Sequence, residues 1–173
     1  MLAEAIQLQA RGPAAETAMI KLSRMADYGV VLMTELACAT DTLRTTSELA
    51  ANTALPMPTV GKVLKLLAHA GLLVSQRGIK GGYALARDAS AITMVDIIDA
   101  VEGPIALTDC IGPDGALCEI EALCPTRTNW HRINDVLTQM LRTVTLAEMT
   151  MSPLDFNALF RWTADAAAPV ARD

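Results

Sequence analysis

A chain of 173 residues with 52% hydrophobic side chains is one domain or one and a half, and it carries enough apolar material to bury a core. No run approaches the roughly 18 uninterrupted apolar residues of a membrane span, and Glu4 stands where a secretory leader has a basic cluster, so a soluble cytoplasmic protein is expected. The net charge of −5 hides an asymmetry: residues 19–90 hold eight basic side chains against five acidic, and residues 91–173 hold five against twelve. Such a split fits a chain of which one half meets a polyanion, although two ordinary solvated surfaces give the same count.

With only 3% aromatic residues the core falls to Leu, Val, Ile, Ala and Met, a helical palette. Residues 1–18 hold a Gly12-Pro13 break and no partner pattern, which predicts a flexible tail with Met19 as the functional start. From Ser23 to Ala39, Met25, Tyr28, Val31, Leu32, Leu36 and Ala39 repeat at helical spacing behind Ser23 as N-cap, and Cys38 reads as a core cysteine. Thr45 followed by Glu48 is a capping box for a short helix over 47–53. Leu55-Pro56-Met57-Pro58 stops it, and a third helix is predicted over Thr59–Ala70 with Gly71 as a left-handed cap.

In that third helix Val60, Val63, Leu64 and Leu67 form the inward stripe, leaving Thr59, Lys62, Lys65 and His69 outside. Two short helices with a basic outer face are a helix-turn-helix candidate. Leu72–Gln76 then reads as a strand, Arg77-Gly78-Ile79-Lys80-Gly81-Gly82 as a glycine-rich tip with two cations, and Tyr83–Ala86 as the returning strand. Helix, turn, helix and basic-tipped hairpin make a winged helix. Its glycines let backbone approach phosphates that Arg77 and Lys80 neutralise. Thr59, Lys62, Lys65, Arg77, Gly78, Lys80, Gly81, Gly82 and Tyr83 are the candidate DNA-binding residues, with base contacts from Thr59 or Lys62.

Thr93 to Glu102 is a fourth helix, capped by Thr93 with Asp96 and ended by Gly103-Pro104. Three of the four cysteines, Cys110, Cys118 and Cys124, follow within a loop broken by Gly112, Pro113 and Gly115. Packing gives cysteines no reason to gather in such a loop, so they suggest thiolates around a soft metal or an iron-sulfur cluster. No Cys-x-x-Cys, nucleophile or acid-base pair emerges, so no enzyme is expected. Beyond Pro125, Trp130, Ile133, Leu137, Met140, Val144 and Ala147 step with a 3.5-residue period, a coiled-coil seam for a second copy of the chain.

The expected organisation is therefore mainly α with a small β-hairpin wing: a tail (1–18), a winged helix-turn-helix (19–90), a linker helix and cysteine loop (91–124), a dimerisation helix (125–149) and a C-terminal tail (150–173), where Phe156, Phe160 and Trp162 can dock locally.

Leu22-Ser23-Arg24 with Asp27-Tyr28, the Arg77-Gly78-x-x-Gly81-Gly82-Tyr83 wing and Asp96-Ile97-Ile98 to Glu102-Gly103 carry a family resemblance. Cys110, Cys118, Cys124-Pro125 and the Trp130 helix ending Val144-Thr145-Leu146 complete it. Over about three quarters of its length the chain resembles the iron-sulfur-sensing winged-helix repressors that include the Isc and Nsr regulators, and within them the SUF-system assembly regulators. The resemblance implies a homodimeric transcription repressor on a palindromic operator, with three cysteines holding an iron-sulfur cluster whose state sets DNA affinity.

For the fourth ligand, the Isc-type histidine position is Arg127 here, whereas the Nsr-type aspartate position is Asp27, supplied by the second copy. His131 is the other candidate. Three cysteines and His131 also suit a structural zinc site in a constitutive nucleic-acid-binding protein.

Overall fold

The structure, a computed structural model, describes residues 21–39, 42–78, 81–112 and 123–151. Its elements in order are α1 (Arg24–Cys38), α2 (Thr46–Thr53), α3 (Met57–His69), β1 (Leu73–Gln76), β2 (Gly82–Leu85), a 3-10 turn (Ala89–Ala91), α4 (Met94–Glu102), α5 (Arg127–Thr143) and α6 (Leu146–Met149). This is the expected helical fold with a two-stranded antiparallel wing.

Side-chain caps start four of the six α-helices among the described residues. Ser23 accepts hydrogen bonds from the Met25 and Ala26 amides, and Thr45 with Glu48, Thr93 with Asp96 and Thr145 with Glu148 form reciprocal capping boxes. Helix α3 begins two residues earlier than predicted, at Met57 with Pro56 as N-cap. Pro58 falls in its first turn, where the missing amide hydrogen has no intrahelical partner to lose. Gly71 follows with φ +74°, as expected of the left-handed position.

The core gathers Leu32, Met33 and Leu36 of α1, Leu49 of α2, Val60, Val63, Leu64 and Leu67 of α3, Leu72 and Leu73, Ile92, Met94 and Ile97, and Leu146 of α6. It crosses the expected boundary at residue 90, because α4 packs on α1 and α3, and α6 packs on α1. Gly29 of α1 makes room for α4: a Cβ there would meet Val101 Cγ2 at 3.1 Å. Val31, predicted inward, is exposed, and Ala26, Gly29 and Met33 take the inner face instead. Cys38 corrects a further expectation, for at the end of α1 it is exposed rather than buried.

The bounds of the long helix beyond Pro125 are also corrected. The helix ends at Thr143; Val144 turns extended, and its carbonyl accepts from the Met94 amide at 2.9 Å while the Leu146 amide donates to the Ile92 carbonyl at 2.8 Å. Val144 and Ala147 therefore leave the predicted seam. The reversal delivers Leu146 to the core, fully buried.

Candidate nucleic-acid interface and thiol loop

Helix α3 divides its side chains as its period dictates. Val60, Val63, Leu64 and Leu67 are 0% exposed, which leaves Lys62, Lys65 and His69 in solvent and Thr59 half-buried. Arg77 is exposed at the wing tip beside Gly78, whose φ of +113° only glycine adopts without strain. Lys80 lies outside the described residues.

The wing is held by a residue the sequence did not single out. Arg44 pairs with Tyr83 through two backbone bonds, Arg44 N to Tyr83 O at 2.9 Å and Tyr83 N to Arg44 O at 2.8 Å, adding a one-residue third strand to the Leu73–Leu85 hairpin. A Cβ on Gly82 would lie 2.7 Å from the Arg44 carbonyl oxygen, and one on Gly81 would collide with the Gln76 carbonyl. Both glycines thus close the wing, and the half-buried Tyr83 packs against the core. No local motif marks Arg44, since its partner is far along the chain.

Between α4 and α5 the chain leaves Gly103 (φ +89°) and runs along α5 before the thiols. Asn134 is the one buried polar residue among those described. Its Nδ2 donates to the Ile105 carbonyl at 3.0 Å and its Oδ1 accepts from the Leu107 amide at 3.1 Å. Leu137 and Leu141, on the same side of α5, line a cavity of about 450 Å³ with Ile98 and residues 103–107. Leu137 is half-buried there. The apolar stripe left exposed on α5 is Trp130, Ile133, Val136 and Met140.

Cys110 and Cys124 are free, half-buried thiols. Thr108 Oγ1 stands 3.2 Å from Cys110 Sγ, and Thr126 Oγ1 stands 3.4 Å from Cys124 Sγ. Bonds from the Thr126 hydroxyl and then the Thr126 amide, with Arg127 nearby, hold the Cys124 thiol below its ordinary value and favour the thiolate that ligates metal. Cys118 lies outside the described residues. Among the described residues no three His, Cys, Asp or Glu side chains converge. Asp27 is exposed in the first turn of α1, and His131 is half-buried on α5. No helix among the described residues is long and apolar enough to cross a membrane.

The Rrf2 family profile, described as an iron-dependent transcriptional regulator, matches residues 22–152. The HTH-type transcriptional regulator IscR of Yersinia enterocolitica is 39% identical over 79 residues, which is 46% of this chain and 47% of that protein, so the match takes in about half the length of that relative. IscR of Escherichia coli is 28% identical over 144 residues, covering 83% of this chain and 80% of its own. Among solved structures, CymR, the global cysteine regulator of B. subtilis, superposes with a TM-score of 0.61 at 32% identity, covering 76% of this chain and 97% of CymR. IscR of T. potens superposes with a TM-score of 0.59 at 28% identity, covering 76% and 86% respectively.

Proposed function

This chain belongs to the Rrf2 family of iron-dependent transcriptional regulators, a family of regulators rather than enzymes, and from that premise we propose that it is a cytoplasmic, homodimeric DNA-binding repressor that senses iron-sulfur status. The observation that carries the reading is the sidedness of α3, apolar and fully buried on one face and cationic on the other. In this reading α3 enters the major groove of a palindromic operator with Thr59 or Lys62 at base edges. Lys65, Arg77 and Lys80 reach phosphates, and Gly78, Gly81 and Gly82 shape the wing backbone that follows the strand. Tyr83 supports that wing from beneath.

The second copy docks on the stripe of Trp130, Ile133, Val136 and Met140, which are 40–57% exposed in the single chain. The donor set suits an iron-sulfur cluster: two free thiols flank the loop, one of them biased toward thiolate, and neither belongs to the core. Cys110, Cys118 and Cys124 would hold it, with Asp27 of the second copy as fourth ligand and His131 as the alternative. When bound, such a group supplies a redox-active, labile centre, and an oxygen ligand among thiolates increases that lability. Family membership favours iron over structural zinc. The genes controlled are those of SUF-type cluster assembly.

The test is protein purified without oxygen from iron-replete cells and bound to its own upstream region across a salt series, before and after chelation. Retained binding that responds to chelation, with Lys65→Ala lowering the salt slope by roughly one counterion, is expected. A colourless preparation indifferent to that DNA overturns the reading.

A further inference from the structure

Asn134 carries one primary carboxamide, and both ends of it are used on backbone two residues apart. The Ile105 carbonyl can only accept and the Leu107 amide can only donate, so the partners fix which end of the amide is nitrogen. Carbonyl of one residue and amide of the residue two further on is the edge that a neighbouring β-strand would satisfy. Here one side chain of α5 takes that strand's place. A buried polar residue in the inward stripe of an otherwise apolar-faced helix costs burial unless its polar atoms are bonded, and here both the nitrogen and the oxygen are.

Leu107 is the last residue before the turn that bears the first thiol. That turn is closed by the Ile111 amide donating to the Thr108 carbonyl at 3.0 Å, with Cys110 inside it and its sulfur beside the Thr108 hydroxyl. The second thiol, Cys124, lies directly before α5, where the Arg127 amide meets the Cys124 carbonyl at 3.5 Å. One thiol is thus referenced to α5 through the chain, and the other through Asn134.

We propose that Asn134 is a positioning residue for the thiol site: by holding Ile105 and Leu107 against the middle of α5 it fixes where Cys110 stands relative to Cys124. The inference rests on the reading that these thiols hold a metal centre. Asn134 ligates nothing itself. It orders the approach to one ligand, as groups behind metal ligands commonly do.

Asn134→Asp keeps the shape and the acceptor but removes the Nδ2 donor, placing a carboxylate oxygen against the Ile105 carbonyl. The reduced full-length chain is titrated with cobalt(II) alone, followed by thiolate-to-cobalt absorbance, and the Leu107 amide is followed by hydrogen exchange. The expected result is cobalt affinity reduced roughly 10-fold or more, the range for lost outer partners of metal ligands, together with faster exchange at Leu107 while helicity is retained. Equal cobalt affinity in Asn134→Asp and the parent overturns the proposal while leaving the metal reading intact. A loss of affinity no larger than the fraction of chain unfolded also overturns it, as that marks a merely structural role. Should Asn134→Asp not fold, Asn134→Ser removes the carboxamide, leaves room for water and is judged by the same measurements. A parent chain with no thiolate-to-cobalt absorbance overturns the metal reading, and the positioning proposal with it.

Discussion

Gly82 faces the backbone of Arg44 so closely that a methyl group in place of its hydrogen would stand 2.7 Å from the Arg44 carbonyl oxygen and 2.9 Å from the carbonyl carbon. Backbone cannot swing aside as a side chain can. Gly82→Ala should therefore part the wing from Arg44 and cost about 1–3 kcal/mol, the range for an overpacked site. Gly61, in the middle of α3, has nothing nearer than Thr46 Cγ2 at 3.9 Å, so Gly61→Ala should instead stabilise by about 0.5–1 kcal/mol through helix propensity. Urea unfolding of the two variants reads both signs, and a shift in the same direction for both would contradict the packing described.

The cap of α2 gives a pH-dependent test. Glu48 accepts from the Thr45 amide at 2.8 Å, and bonds from the Thr45 backbone and then the Thr45 side chain hold its carboxyl below the usual value. A depressed folded value means a contribution present above the unfolded value of 4.5 and lost as pH falls through the folded one. The stability gap between the parent and Glu48→Gln should be constant at neutral pH and close in acid, as denaturant titrations from pH 7 to pH 3 would record. Thr45→Ala removes the other half of the box and should cost about 1 kcal/mol.

Ile133 is 49% exposed on α5. If a second copy covers it, Ile133→Glu places a charge in an apolar contact and should shift sedimentation from dimer to monomer at micromolar concentration. The monomer's own fold should change by no more than about 0.5 kcal/mol, as at an ordinary surface site. Sedimentation unchanged by the variant would remove this stripe as the dimer contact.

Leu146 has no exposed surface, although it lies more than fifty residues beyond the wing. Leu146→Ala should destabilise by about 2–5 kcal/mol, as for other buried leucines. Thermal melting followed by circular dichroism reads the effect, and a loss below about 1 kcal/mol would mean that α6 is no part of the core.

The features legible from the sequence were those set by short-range chemistry. Thr45 with Glu48 and Thr93 with Asp96 announce helix starts because the partners sit three residues apart, and Gly71 announces a stop because only one backbone region suits it. The inward stripe of α3 was readable for the same reason. Pro58 misled, since proline bars a helix interior but not its first turn. The 3.5-residue period carried the seam too far because it continues through Val144 and Ala147, whereas the bridge between Thr93 and Thr145 ends α5. That bridge joins residues distant in sequence. Cys38 resembled a core cysteine by type alone. Arg44 and Asn134 escaped notice because each acts on backbone remote from it, and backbone atoms leave no mark in a sequence pattern. In the thiol loop, Cys110 and Cys124 fall on either side of residues 113–122, so the gathering of three cysteines stays an inference from spacing.

The antiparallel link of Val144 and Leu146 to Met94 and Ile92 also limits how this molecule can be dissected. A fragment ending at residue 90 would keep α3 and the wing but lose Ile92, Met94, Ile97 and Leu146 from the core they share. A fragment that keeps this core whole must therefore reach Leu146. Any chimera that grafts α3 and the wing onto another protein must carry α4 and α6 along with them.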